Sequence, residues 1–89
     1  MSLGPVGQRI MQKLTDAFTP AELDVIDESH KHAGHSGARP EGETHFKVVI
    51  VADAFEGASL VQRHRLVNQA LAEELADRVH ALSISANAP

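Results

Sequence analysis

The stretch "THFKVVIVAD", residues 44–53, decides the fold. It is β-branched and nearly continuous in apolar character from Phe46 to Val51, the pattern of a central strand covered on at least one face. Asp53 ends it. Upstream, "ELDVIDES" alternates, with Leu23 and Val25 on one side of an extended segment and Asp24, Ile26 and Glu28 on the other. Residues 22 to 28 therefore read as a first strand. Near the C-terminal end "VHALSISA" alternates again, with His80, Leu82 and Ile84 opposite Ala81, Ser83 and Ser85, and supplies a third.

Two helices flank these strands. From Pro5 to Phe18 apolar Val6, Ile10, Leu14 and Ala17 or Phe18 recur every three or four residues. Pro5 suits a first helical turn, and Thr19-Pro20 ends the helix near Phe18. After the turn "FEGAS", Ser59 is placed to cap a second helix, and Leu60, His64, Val67, Leu71 and Leu75 form one stripe running to about Ala76. The pattern admits a break near His64 to Leu66. The order is thus αββαβ: strands one and two pair antiparallel across a long loop, and strand three returns parallel to strand two through a right-handed crossover. An α+β domain is expected, its three-stranded mixed sheet covered on one face by helices.

At 89 residues the chain suits a single domain, 1–89, with one core. No run approaches the roughly 18 apolar residues of a membrane helix, and the opening "MSLGPVGQRI" lacks the layout of a secretion signal, so a cytoplasmic protein without membrane contact is expected. A net charge of −4 disfavours a general nucleic-acid binder, whose affinity comes mainly from Lys and Arg neutralising phosphates. Only Phe18, Phe46 and Phe55 are aromatic among Phe, Tyr and Trp, too few for base-stacking platforms. There is no cysteine, hence no disulfide and no thiolate for a metal. Catalysis fits poorly: no nucleophile signature or phosphate-binding glycine motif is present, so no catalytic residue is assigned and the chain is read as a non-enzyme. Asp27 and Glu28, at a strand end, read as turn or solubility residues.

The chemistry-bearing segment is "SHKHAGHSGARPEGETHF", residues 29–46, which holds His30, His32, His35 and His45 of the six histidines. A loop of that length is usually functional or mobile. With His80, the histidines at 30, 32 and 35 could bind zinc or copper through imidazole alone, though structural zinc sites usually include cysteine. His45, beside Thr44 at a strand entrance, reads as structural rather than ligating. His64, on the helix stripe, is expected to be packed with its ring nitrogens bonded locally.

The segments "DESHKHAGH", "ETHFKVVIV", "FEGASLVQRHRLVNQAL", "EEL" and "VHALSI", in this order and spacing, resemble the BolA-like protein family from about Ile10 to Ala86. Leu60 stands where the family motif often has Phe. The resemblance implies an αββαβ fold related to the class II KH fold. It also implies pairing with a monothiol glutaredoxin around a bridging 2Fe-2S cluster, in iron-sulfur trafficking or iron regulation. Some members are described as transcriptional regulators.

The family places one histidine ligand in "VHALS", which is His80, and a second His or Cys in the long loop. There His35 reads best when counted back from "ETHF", with His32 next and His30 behind them. Mixed imidazole and thiolate clusters exist. Because this chain has no thiolate, the sulfur ligands would come from the glutaredoxin cysteine and glutathione. The alternative function is DNA binding by a helix-turn-helix-like segment bearing Arg63 and Arg65. Spacing of two sets these arginines about 200° apart on a regular helix, so both reach one groove only if the helix is interrupted. Without DNA, they would pair with Glu73, Asp77 or the loop acids, or form a partner-docking surface. The second glycine of a KH gripping loop is missing after Gly57.

Overall fold

A computed structural model describes residues 3–29, 43–77 and 79–89. The elements run α1 (Pro5–Phe18), β1 (Glu22–Asp27), β2 (His45–Val51), a 3-10 turn (Asp53–Phe55), α2 (Leu60–Ala70), α3 (Ala72–Ala76) and β3 (Ala81–Asn87). The sheet order is β1-β2-β3, with β1 antiparallel and β3 parallel to the central β2. The α+β arrangement expected from the sequence is the one observed.

Period-two alternation decides which side of the sheet is buried. Val25 on β1, Phe46, Val48 and Ile50 on β2, and Ala86 on β3 belong to the core, with Leu82 and Ile84 packed against it. They meet Val6, Ile10 and Leu14 of α1 and Val67 and Leu71 from the second helical segment. Asp24, Ile26 and Ser83 point the other way and are exposed. Phe55, fully buried in the 3-10 turn, stacks obliquely on Phe18 with ring centroids 5.1 Å apart.

The second helix departs from the expected stripe in three ways. Its interruption falls at Leu71, where φ −107° and ψ 18° leave the helical region and α3 restarts at Ala72, rather than near His64 to Leu66. Ser59 caps it as expected, in a reciprocal capping box with Gln62. Leu60, in the first turn, is 64% exposed because the chain there has not yet reached the core. His64 is packed, but among the described residues its Nε2 is buried without a hydrogen-bond partner, so the expected local bonding is not made at that atom.

The start of α1 is held from a distance. Its N-cap is Gly4, which has no side chain to satisfy the orphan amides of the first turn. The Glu43 carboxylate does so instead, accepting from the N–H of Val6 at 2.9 Å and of Gly7 at 3.3 Å. A negative charge there also complements the helix dipole. A Cβ on Gly4 would lie 2.3 Å from Glu43 Oε1, so glycine is what lets the carboxylate in. Glu43→Ala is expected to lower unfolding stability by about 2 kcal/mol in chemical denaturation, the upper end for a lost helix cap. Gly4→Ala should cost a similar amount alone and much less in the Glu43→Ala background, because both changes remove one interaction.

At the other end of the core, Glu74 is 3% exposed and is met by Lys13 Nζ at 2.9 Å, with Glu73 at 3.2 Å. Hydrogen bonding to Glu74 raises the Lys13 pKa above its ordinary 10.5, and Glu73 adds to this against a desolvation effect of opposite sign. A raised folded-state pKa means stability that is fully present below about 10.5 and lost as pH climbs through the folded value. Thermal unfolding followed between pH 9 and 12 should show a Tm decline in this window, and the decline should shrink in Lys13→Met.

Candidate functional site

The site forms where β2 and β3 begin. Thr44, fully buried, is its node. Its carbonyl accepts from the N–H groups of His80 at 2.7 Å and Ala81 at 3.1 Å, which starts the parallel pairing and fixes the backbone of His80 just before β3. His80 is exposed, whereas His45 is buried. Their rings lie 5.4 Å apart between centroids, tilted by 52°. His45 Nδ1 is 2.8 Å from Thr44 Oγ1.

The two ends of the 29–43 connection are clipped together beside this pair. Asp27 Oδ1 accepts from Ser29 N–H at 2.9 Å and from Ser29 Oγ–H at 2.5 Å, while Asp27 Oδ2 accepts from Glu43 N–H at 3.2 Å. Ser29 Oγ in turn accepts the N–H of Thr44 at 2.9 Å and of His45 at 3.2 Å. A carboxylate at the end of β1 therefore organises the base of the loop, a larger role than the turn or solubility residue expected at Asp27. Glu43 joins this base to α1 and adopts φ 59°, a left-handed conformation that a side chain rarely takes and that surrounding bonds must hold.

Of the sequence-derived ligand candidates, His80 is placed by the structure at this sheet end. His30, His32 and His35 lie outside the described residues. Among the described residues no group of three or more His, Cys, Asp or Glu side chains could hold a metal ion. The nearness of His45 to His80 was not legible in the sequence, because 34 residues separate them and only the β2–β3 register, which pairs His45 with Ala81, brings them together. Among the described residues Arg63 makes no ion pair with an acid: its Nε donates to Ala58 O and its Nη1 to Ala86 O, both at 3.0 Å, tying α2 to the end of β3. Glu73 is bound by Lys13 instead. Arg65 is exposed.

The family model described as BolA-like protein matches residues 14–89. The chain belongs to the BolA-like family. This BolA-like chain is 50% identical over 93 residues to SufE-like protein 1, chloroplastic/mitochondrial, of Arabidopsis thaliana, an alignment covering 100% of this chain and 25% of that protein. It is 49% identical over 88 residues to human BolA-like protein 1, covering 99% of this chain and 61% of the relative. Among solved structures, the BolA domain of SufE1 from Arabidopsis thaliana superposes with a TM-score of 0.90 at 51% identity, over 99% of this chain and 96% of that one. The solution structure of BolA1 from Mus musculus gives 0.83 at 44% identity, over 100% and 69%. Among the described residues of this BolA-like chain, no helix is long and apolar enough to cross a membrane.

Proposed function

We propose that this BolA-like protein pairs with a monothiol glutaredoxin and co-ligates a bridging 2Fe-2S cluster, serving iron-sulfur trafficking or iron regulation as an accessory without turnover of its own. The observation that carries the reading is the placement of His80. Its side chain is exposed, its backbone is pinned by Thr44, and through Thr44 and Ser29 it sits beside both ends of the histidine loop. His80 would be one ligand and His35 or His32 the second.

The donor set fits the group in one respect that composition enforces. Imidazoles are present and thiolates are not, so the chain can fill only the nitrogen positions of a mixed cluster, and sulfur must arrive from the glutaredoxin cysteine and glutathione. Bound there, the cluster would supply an electron-accepting iron centre whose potential is raised by imidazole ligation. This chain's own contribution is to hold the imidazole of His80 on a fixed strand end and to bring a loop histidine to it. The proposed compartment is the cytoplasm, although two Arabidopsis relatives are named chloroplastic or chloroplastic/mitochondrial.

Mixing the pure chain with a cluster-loaded monothiol glutaredoxin and glutathione, while recording visible circular dichroism, tests the reading. A new spectrum is expected on mixing, and its loss is expected in His80→Ala. An unchanged spectrum with the wild-type chain would refute the proposal.

A further inference from the structure

We propose that Asp27, Ser29 and Thr44 form a hydrogen-bond relay, joined through the Thr44 backbone N–H, that holds the His45 ring in the Nε2–H form, making His45 a hydrogen-bond donor beside His80 rather than a metal ligand. The argument is a count of protons and lone pairs. Ser29 Oγ has one proton, which goes to Asp27 Oδ1, and two lone pairs, which accept the amides of Thr44 and His45. It has no acceptor capacity left for the Thr44 hydroxyl, which in any case stands 3.5 Å away. Thr44 is fully buried, so its hydroxyl proton needs an acceptor within the protein. The nearer partner, at 2.8 Å, is His45 Nδ1. Thr44 Oγ–H therefore donates to Nδ1, and the neutral ring carries its own proton on Nε2.

A ring in that form offers no lone pair to a metal at either nitrogen. Nδ1 is filled by the Thr44 proton and Nε2 by its own. His80 carries no such constraint from Thr44, which touches its backbone alone among the bonds Thr44 makes. Two neighbouring histidines are thereby given different chemistry: one free to ligate, the other fixed as a donor to an electron-rich group such as a sulfide or thiolate. The relay's effect on the tautomer stands on this chain alone, whereas the donor role at a cluster rests on the reading under Proposed function.

A long-range proton–nitrogen NMR correlation of the 15N-labelled chain, at a pH of about 8 where imidazoles of ordinary pKa are neutral, reads the tautomer directly. His45, assigned by the pattern lost in His45→Gln, is expected to show a pyridine-type Nδ1 and a pyrrole-type Nε2. Thr44→Val should convert this to a mixed pattern and Thr44→Ser should restore it. A pyrrole-type Nδ1 in the wild-type chain overturns the proposal, as does an unchanged His45 pattern in Thr44→Val. The wild-type spectrum decides even if Thr44→Val does not fold.

In the complex with cluster-loaded glutaredoxin, His45→Gln keeps a donor and is expected to retain the visible spectrum with an affinity loss of about tenfold, while His80→Gln loses it. The opposite pattern would make His45 the ligand and overturn the proposed role. Absence of any complex with the wild-type chain would refute the cluster reading and leave the tautomer result standing.

Discussion

Phe55→Ala is expected to lower unfolding stability by about 3–5 kcal/mol, the range for emptying a large aromatic from a packed core. Small domains have about 5–15 kcal/mol in total, so this single change would remove a large share of it. The reason is position as well as size. Phe55 is fully buried in the 3-10 turn between β2 and α2, its ring lies against Phe18 at the end of α1, and its backbone N–H and carbonyl bond to Ala52 and Ala58. The turn is fixed by local bonds, so the cavity has little room to collapse. Urea denaturation followed by far-ultraviolet circular dichroism measures the loss. Phe55→Leu should recover more than half of it, and a cost below about 1 kcal/mol for Phe55→Ala would show that the ring is not packed as described.

Asp27→Ala is expected to cost about 3 kcal/mol. Its carboxylate receives three donors, from Ser29 N–H, Ser29 Oγ–H and Glu43 N–H, and hydrogen bonds to a charged group contribute about 1.5–3 kcal/mol each before non-additivity and partial exposure reduce the sum. Alanine would leave those donors without their acceptor at the base of the histidine loop. The consequence reaches beyond stability, because Ser29 then has no fixed proton acceptor and its oxygen no longer dictates where the Thr44 hydroxyl points. Asp27→Ala should therefore disturb the His45 ring pattern as well as the denaturation midpoint. Asp27→Asn, which keeps one carbonyl acceptor, should fall between it and the wild type. A midpoint equal to wild type in Asp27→Ala would remove Asp27 from the loop base.

Both variants act on parts of the molecule that the sequence shows unequally. The apolar run of Phe46 to Val51 needed no tertiary information, because a β-branched stretch flanked by two alternating segments admits few arrangements other than a central strand with neighbours. Ser59 was equally legible, since a cap and its Gln62 partner sit within one turn of each other. The helix break was not. "AEELA" contains good helix formers, so nothing local distinguishes Leu71 as the point where the chain leaves and re-enters helix. The bonds of Arg63 were hidden for a similar reason: charge suggests acidic partners, but among the described residues it donates to two backbone carbonyls, one of them 23 residues away.

The candidate site divides along the same line. Composition alone determined that this chain has histidines and no cysteine, so that any iron-sulfur role must borrow its sulfur, and the resemblance of "VHALS" to the family motif singled out His80. Which histidines become neighbours, and in which state, was decided by the tertiary structure. Parallel pairing of β2 with β3 sets His45 next to His80, and the antiparallel pairing of β1 with β2 carries Asp27 and Ser29 to Thr44. Periodicity is a property of a few consecutive residues and survives in the bare sequence. A hydrogen-bond relay depends on atoms brought to hydrogen-bond distance by register, and register exists only once the strands have met.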